Sequence, residues 1–200
     1  AATDIFWAKF KENYVTEADI AFIASTGANT IRIPFHYKLF TSEDYMGLAA
    51  NQDGFQRMDK VIEWCRKYGL YVILDMHDAP GGQTGDNIDD SYGYPWLLEC
   101  EASQSLYADI WQRIAERYKD EPVVLGYDLL NEPIAPYFGD DVKLLNSKLK
   151  ALYRLGFDAI RAVDKNHIVI LGGAQWNSNF EPLEDCNFDA QVMYSCHRYG

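Results

Sequence analysis

The chain has 200 residues, 48% hydrophobic and 24% charged, with 18 Lys and Arg against 30 Asp and Glu for a net charge of −12. This is globular composition with material for one sizeable core, and its acidity argues against nucleic acid or an anionic membrane surface as partner. Acidity serves solubility equally well, and it is compatible with a neutral substrate.

Residues 1–15 are rich in aromatics: Phe6, Trp7, Phe10 and Tyr14. Thr16-Glu-Ala-Asp19 then has the pattern of a capped helix start, followed by an apolar face of Ile20, Ile23 and Ala24 that stops near Gly27. Thr30–Phe35 predicts a short strand. A polar loop over Thr41–Gly54 leads to a helix over about Phe55–Tyr68, with Met58, Val61, Ile62 and Cys65 on one face and Gly69 as the stop. Leu70–His77 predicts the second strand. The loop over about 78–100 is long for a compact domain, which marks it as functional or disordered, and Tyr94-Pro-Trp96 argues for order.

An amphipathic helix is expected over Ser103–Lys119, with Leu106, Ile110, Trp111, Ile114 and Tyr118 on its apolar face. Next, Val123–Leu130 reads as a buried strand that runs directly into Asn131-Glu132-Pro133, where Pro133 withdraws a backbone donor from the ladder. A helix over about Asp141–Val163, a strand His167–Gly172, an irregular stretch Gly173–Asn187 and a last strand Gln191–His197 complete the pattern.

Helix then strand, five times over, predicts a parallel sheet covered by helices. No Gly-x-Gly-x-x-Gly or phosphate-binding Gly-rich loop follows any strand, which removes the usual reason for an open nucleotide-binding sheet. Polar residues stand instead at the C-terminal ends of several strands, as barrel enzymes build their sites. The expected fold class is therefore α/β, an incomplete (β/α)8 TIM barrel with about five βα units.

The four cysteines are scattered with no Cys-x-x-Cys pair, and buried free thiols are expected at Cys65 and Cys196. Apolar runs are far shorter than a membrane span, and no signal-peptide pattern stands at Ala1.

Side chains alternate along a strand. Arg32 therefore groups with Thr30 and Pro34, and Asp75 and His77 with Ile73. Asp128 and Glu132 group with Gly126 and Leu130 in the absence of a bulge, and His197 groups with Ser195 and Tyr199. If these faces line the barrel interior, Arg32, Asp75, His77, Asp128, Glu132 and His197 converge, and Arg32 is held by carboxylates because buried charge must be paired. His36 and His167 fall outside the pattern. No His-x-His or His-Glu-x-x-His spacing points to a metal. Asp86, Asn87, Asp89 and Asp90 lack calcium-loop spacing and read as a solvated acidic loop, so no metal or other cofactor is expected.

Taken together, Ile-Arg32-Ile-Pro, Asp75-Met-His77, Asn131-Glu132-Pro133 and His197-Arg-Tyr199, in this order and each at a strand end, resemble glycoside hydrolase family five. The likeness extends to Phe6-Trp7 and the Thr16-Glu-Ala-Asp helix, and so covers essentially the whole chain. The resemblance implies hydrolysis of β-glycosidic O-linkages in glucan-type polysaccharides or oligosaccharides by a retaining two-carboxylate mechanism. In that reading Glu132 is the acid/base and Asn131 bonds the sugar 2-hydroxyl. His77, His197 and Tyr199 hold the subsite and the nucleophile, and Arg32, with Asp75 and Asp128, supports them. The loop His77-Asp-Ala-Pro-Gly-Gly-Gln-Thr-Gly resembles that of family members acting on β-glucans, and Trp96, Tyr94, Trp176 and Tyr137 are candidates to stack on sugar faces.

The family's nucleophile is a glutamate at the end of the seventh strand, and the resemblance reaches only about strands two to six. Residues 1–200 are thus expected to be a partial catalytic domain, open at both ends, with the nucleophile beyond Gly200. The alternative is a non-catalytic carbohydrate-binding protein with a degenerate glycosidase barrel. A secreted or periplasmic home is implied by the resemblance alone.

Overall fold

The structure is a computed structural model that describes residues 2–41 and 54–199. Among the described residues six α-helices and five strands alternate from the second helix onward: α1 (Ala2–Asn13), α2 (Glu17–Ser25), β1 (Thr30–His36), α3 (Gly54–Lys67), β2 (Tyr71–Asp78), α4 (Glu101–Tyr118), β3 (Val124–Asp128), α5 (Asp141–Arg161), β4 (Ile168–Gly172), α6 (Ala174–Asn177) and β5 (Val192–Ser195). The predicted loop Thr41–Gly54 falls, except for its two end residues, outside the described residues.

The strands form one parallel sheet in the order β1-β2-β3-β4-β5. Sequential order with a crossover helix between neighbours, reduced to the short α6 between β4 and β5, is the winding of a (β/α) barrel, and the fold is a partial TIM barrel of this kind.

Alternation divides the sheet into two faces. Val72, Leu74 and Met76 of β2, Tyr127 of β3 and Val169 and Leu171 of β4 are fully buried in the hydrophobic core, together with Tyr107, Ile110, Trp111 and Ile114 of α4. Trp111 is central to this layer. Its ring meets Phe35 at 5.6 Å and Tyr127 at 5.8 Å, and its indole N–H donates to the Leu129 carbonyl at 3.3 Å. Burying a large apolar side chain of this kind contributes about 1.5–3 kcal/mol relative to leaving it in water.

The predicted start of α2 is realised: the Thr16 backbone N–H donates to Asp19 Oδ2 at 2.8 Å, and the Thr16 hydroxyl to the same oxygen at 2.7 Å. Residues 1–15, read on sequence only as rich in aromatics, mostly form α1. No side chain of α1 is buried, and its aromatics contact one another along the helix. Among the described residues no helix is long and apolar enough to cross a membrane.

Three expectations need correction. The third strand ends at Asp128, so residues 129–133 do not follow strand alternation. The last strand stops at Ser195 and does not reach His197. Cys196 is exposed just beyond that end. Cys65 is buried as expected, and burial pushes its thiol pKa up to about 11.

Candidate active site

On the other face of the sheet, β2 and β3 set Asp75 directly beside Asp128. Two buried carboxylates side by side require a cation, and Arg32 reaches across from β1. Its Nε donates to Asp128 Oδ2 at 2.8 Å, and Nη2 lies 2.9 Å from Asp75 Oδ1. Arg32 is therefore held by carboxylates, as alternation predicted. Burial, and then the charge of Asp75, pushes the Asp128 pKa well above the usual carboxylate range, against the pull of Arg32.

The same guanidinium orients Asn131. Nη2 of Arg32 donates to Asn131 Oδ1 at 3.1 Å, which turns the amide nitrogen toward His77 Nε2 at 3.3 Å. His77 Nδ1 lies 2.7 Å from Asp75 Oδ2. A proton on Nδ1, donated to Asp75, leaves Nε2 as the acceptor for Asn131. The hydrogen bond to Asp75 raises the His77 pKa, opposed by burial.

Glu132 stands at the open end of this cluster and is only 8% exposed. His197 Nδ1 lies 2.8 Å from its Oε1, and the Tyr199 hydroxyl donates to the same oxygen. That hydrogen bond raises the Tyr199 pKa. Both donors fall on Oε1, so among the described residues Oε2 is the oxygen left to hold a proton toward a ligand.

Alternation did not predict how Glu132 arrives here. Its φ is 47° and that of Ile134 is 61°, so a left-handed turn, not a strand, aims the carboxyl. The same turn explains why Asn131, three residues after Asp128, shares its partner Arg32.

The 78–100 loop is ordered by its own polar groups. Asp89 Oδ2 accepts the backbone N–H groups of Gln83 and Thr84 at 2.8 and 2.7 Å, and Asp89 Oδ1 accepts that of Ser91 at 2.8 Å. Asp90 pairs with Lys38 and lies 3.5 Å from His36 Nε2. These acids are structural, which corrects the expectation of a solvated acidic loop. Gly82, at φ 75°, must remain glycine, because a Cβ there would stand 2.5 Å from the Ser91 backbone nitrogen. Asp78, the last residue of β2, has its pKa raised to about 6 by burial. Among the described residues no group of His, Cys, Asp and Glu could hold a metal ion.

The aromatic candidates form a chain of ring contacts across the loops after β2, β3 and β4. Trp96 meets Tyr94 at 5.0 Å, Tyr94 meets Phe138 at 5.6 Å, Phe138 meets Tyr137 at 5.5 Å and Tyr137 meets Trp176 at 6.1 Å. Trp96 and Tyr137 are each about half exposed, at 47% and 56%. Trp176 lies within three consecutive left-handed residues, Gln175 to Asn177. His167, set aside on sequence, is structural: it pairs with Asp164 at 2.6 Å, which also accepts the Tyr127 hydroxyl. Sequence reasoning missed Gln83 and Phe138, since neither lies in a strand nor titrates.

A family model described as cellulase (glycosyl hydrolase family 5) matches residues 1–200. The chain is 34% identical over 200 residues to a beta-xylosidase of Phanerodontia chrysosporium, covering 99% of this chain and 40% of that protein. It is 32% identical over 198 residues to endoglucanase C of Acetivibrio thermocellus, covering 98% and 53%. With a glucan 1,3-beta-glucosidase of Kluyveromyces lactis the identity is 33% over 194 residues, covering 94% and 41%. Among solved structures, the endoglucanase Cel5A of Thermotoga maritima superposes with a TM-score of 0.69 at 24% identity, over 92% of this chain and 53% of that one. The chain spans about half the length of the curated relatives it matches.

Proposed function

Because the chain belongs to glycosyl hydrolase family 5, we propose that it carries the acid/base half of a retaining site for β-glycosidic O-linkages in glucan-type chains. The observation that carries this reading is Glu132: a nearly buried carboxyl beyond the C-terminal end of β3, with both donors on one oxygen and Asn131 fixed beside it. The names of the relatives, a β-xylosidase, an endoglucanase and a glucan 1,3-β-glucosidase, all describe cleavage of sugars and support a carbohydrate substrate.

Retaining hydrolysis divides one difficult displacement into two. A carboxylic acid protonates the departing oxygen while a second carboxylate, about 5–5.5 Å away, attacks the anomeric carbon; the first group then takes a proton from water. Glu132 performs the protonation and the later deprotonation. His197 and Tyr199 hold Oε1 and leave Oε2 to exchange the proton. Asn131 donates from its amide to the sugar 2-hydroxyl as positive charge develops at the ring, and His77 and Arg32 keep that amide in place. Trp96, Tyr137 and Trp176 offer faces on which sugar rings stack.

Neither Asp75 nor Asp128 is suited to attack, since both are buried and tied to Arg32. The nucleophile in this proposal is a carboxylate outside residues 1–200, which form part of the catalytic domain.

The test is hydrolysis of a β-glucan by the full-length enzyme, with the anomer of the first-formed product read by NMR. The β-anomer, with loss of turnover in Glu132→Gln, is the expected result. An α-anomer excludes retention, and undiminished turnover in Glu132→Gln removes Glu132 from the role.

A further inference from the structure

The turn that carries Glu132 uses backbone that side chains avoid. Glu132 and Ile134 are both left-handed, on either side of Pro133. Such conformations persist only where the surroundings over-determine them. The group that does so comes from the loop after β2.

Gln83 is 1% exposed, and both ends of its carboxamide are used. Oε1 accepts the Ala79 backbone N–H at 3.0 Å, while Nε2 donates to the His77 carbonyl at 2.7 Å and to the Asn131 carbonyl at 2.9 Å. The Gln83 backbone carbonyl accepts the Ile134 N–H at 2.9 Å. One residue thus holds the chain immediately before and immediately after Glu132-Pro133. The same amide binds the carbonyl of His77, so the His77 and Asn131 backbones are fixed to a single group. Asp89 in turn fixes the Gln83 backbone at 2.8 Å.

We propose that Gln83 is the positioning residue of the acid/base, and that its carboxamide sets where the Glu132 carboxyl stands relative to the departing oxygen. It touches no substrate and acts through the backbone of Asn131 and Ile134. The inference rests on the reading of Glu132 as acid/base. Glutamine suits the role because two carbonyls need two N–H donors and the Ala79 N–H needs an acceptor. Glutamate at this position keeps the shape and the acceptor but faces two carbonyl oxygens with no N–H.

The experiment compares kcat/KM of the full-length enzyme on two classes of β-glucoside. A 2,4-dinitrophenyl leaving group departs without a proton, whereas an alkyl or sugar leaving group requires one. Glu132→Gln is the reference, and its loss concentrated on the second class supports the acid/base reading. Gln83→Glu is then expected to lose about 100-fold on the alkyl or sugar class and about threefold on the dinitrophenyl class, since a misplacement of about 1 Å is worth about 100-fold. A merely structural role reduces both classes equally, and that result overturns the proposal. Gln83→Leu is expected to show the same contrast; where it does not fold, the near-isosteric Gln83→Glu decides. If Glu132→Gln itself loses equally on both classes, the acid/base reading fails and the positioning role falls with it.

Discussion

Arg32 determines which way Asn131 faces. The guanidinium donates to Asn131 Oδ1 at 3.1 Å, so the amide nitrogen is presented to His77 and, in the proposed mechanism, to the sugar. A planar fork can hold two carboxylates and an amide oxygen at once, which an ammonium on a flexible stem does not do. Arg32→Met leaves Asp75 and Asp128 buried without their cation, and unfolding free energy is expected to fall by about 3–5 kcal/mol. Arg32→Lys keeps the charge and is expected to retain much of the stability while losing the orientation of Asn131. Urea denaturation together with kcat/KM separates the two effects.

The pH dependence of stability follows from two raised pKa values with defined sign. Asp78 titrates at about 6 when folded, against an ordinary 3.8. Its contribution is fully present below 3.8 and is lost as pH rises through about 6. His77 is raised above 6.5 by Asp75, so its contribution is present below 6.5 and disappears as pH climbs through the folded value. Asp78→Asn is expected to flatten the stability profile between pH 4 and about 6 and to leave the neutral limb. His77→Gln is expected to flatten the neutral limb and, by removing the His77 charge that holds the Asp78 pKa down, to carry the Asp78 limb to higher pH. Urea midpoints across this range test both, and a steepened profile in Asp78→Asn contradicts the assignment.

Regular strands made Arg32, Asp75, His77 and Asp128 legible in the sequence, because alternation fixes the face once one face is known to pack on helices. Glu132 was identified as a polar group at a strand end, but its aim comes from a left-handed turn that alternation does not describe. His197 and Tyr199 were expected to serve the subsite and the nucleophile, and both bond Glu132. The loop acids were read as solvated because spacing reveals ligand geometry and not backbone capping, which is what Asp89 does. Gln83 stood inside the loop that carries the resemblance, but a buried amide in a loop has neither period nor charge to single it out.

The aromatic chain from Trp96 to Trp176 gives a prediction about binding rather than chemistry. Trp96→Ala and Tyr137→Ala are expected to raise KM for long β-glucan chains by about threefold to tenfold, the equivalent of about 0.5–1.5 kcal/mol for an aromatic stacking contact. With an aryl monoglucoside, too short to lie across these rings, KM is expected to stay within about twofold on the same scale. Steady-state kinetics on the two substrates decides the matter. Equal changes on both place the rings in packing and not in binding.

The last prediction concerns the second carboxylate. A 2-fluoro-β-glucoside with a good leaving group forms the glycosyl-enzyme but slows its release, so the nucleophile keeps the sugar and can be found by peptide mass. In the full-length enzyme the label is expected outside residues 1–200. Within them, Asp75 and Asp128 are sealed against Arg32, and Glu132 holds two donors on one oxygen. Residues 1–200 expressed alone are accordingly expected to hydrolyse no β-glucoside, whatever sugar they bind. A label on Asp78, or turnover by residues 1–200 that disappears in Glu132→Gln, would show that both carboxylates lie within this sheet.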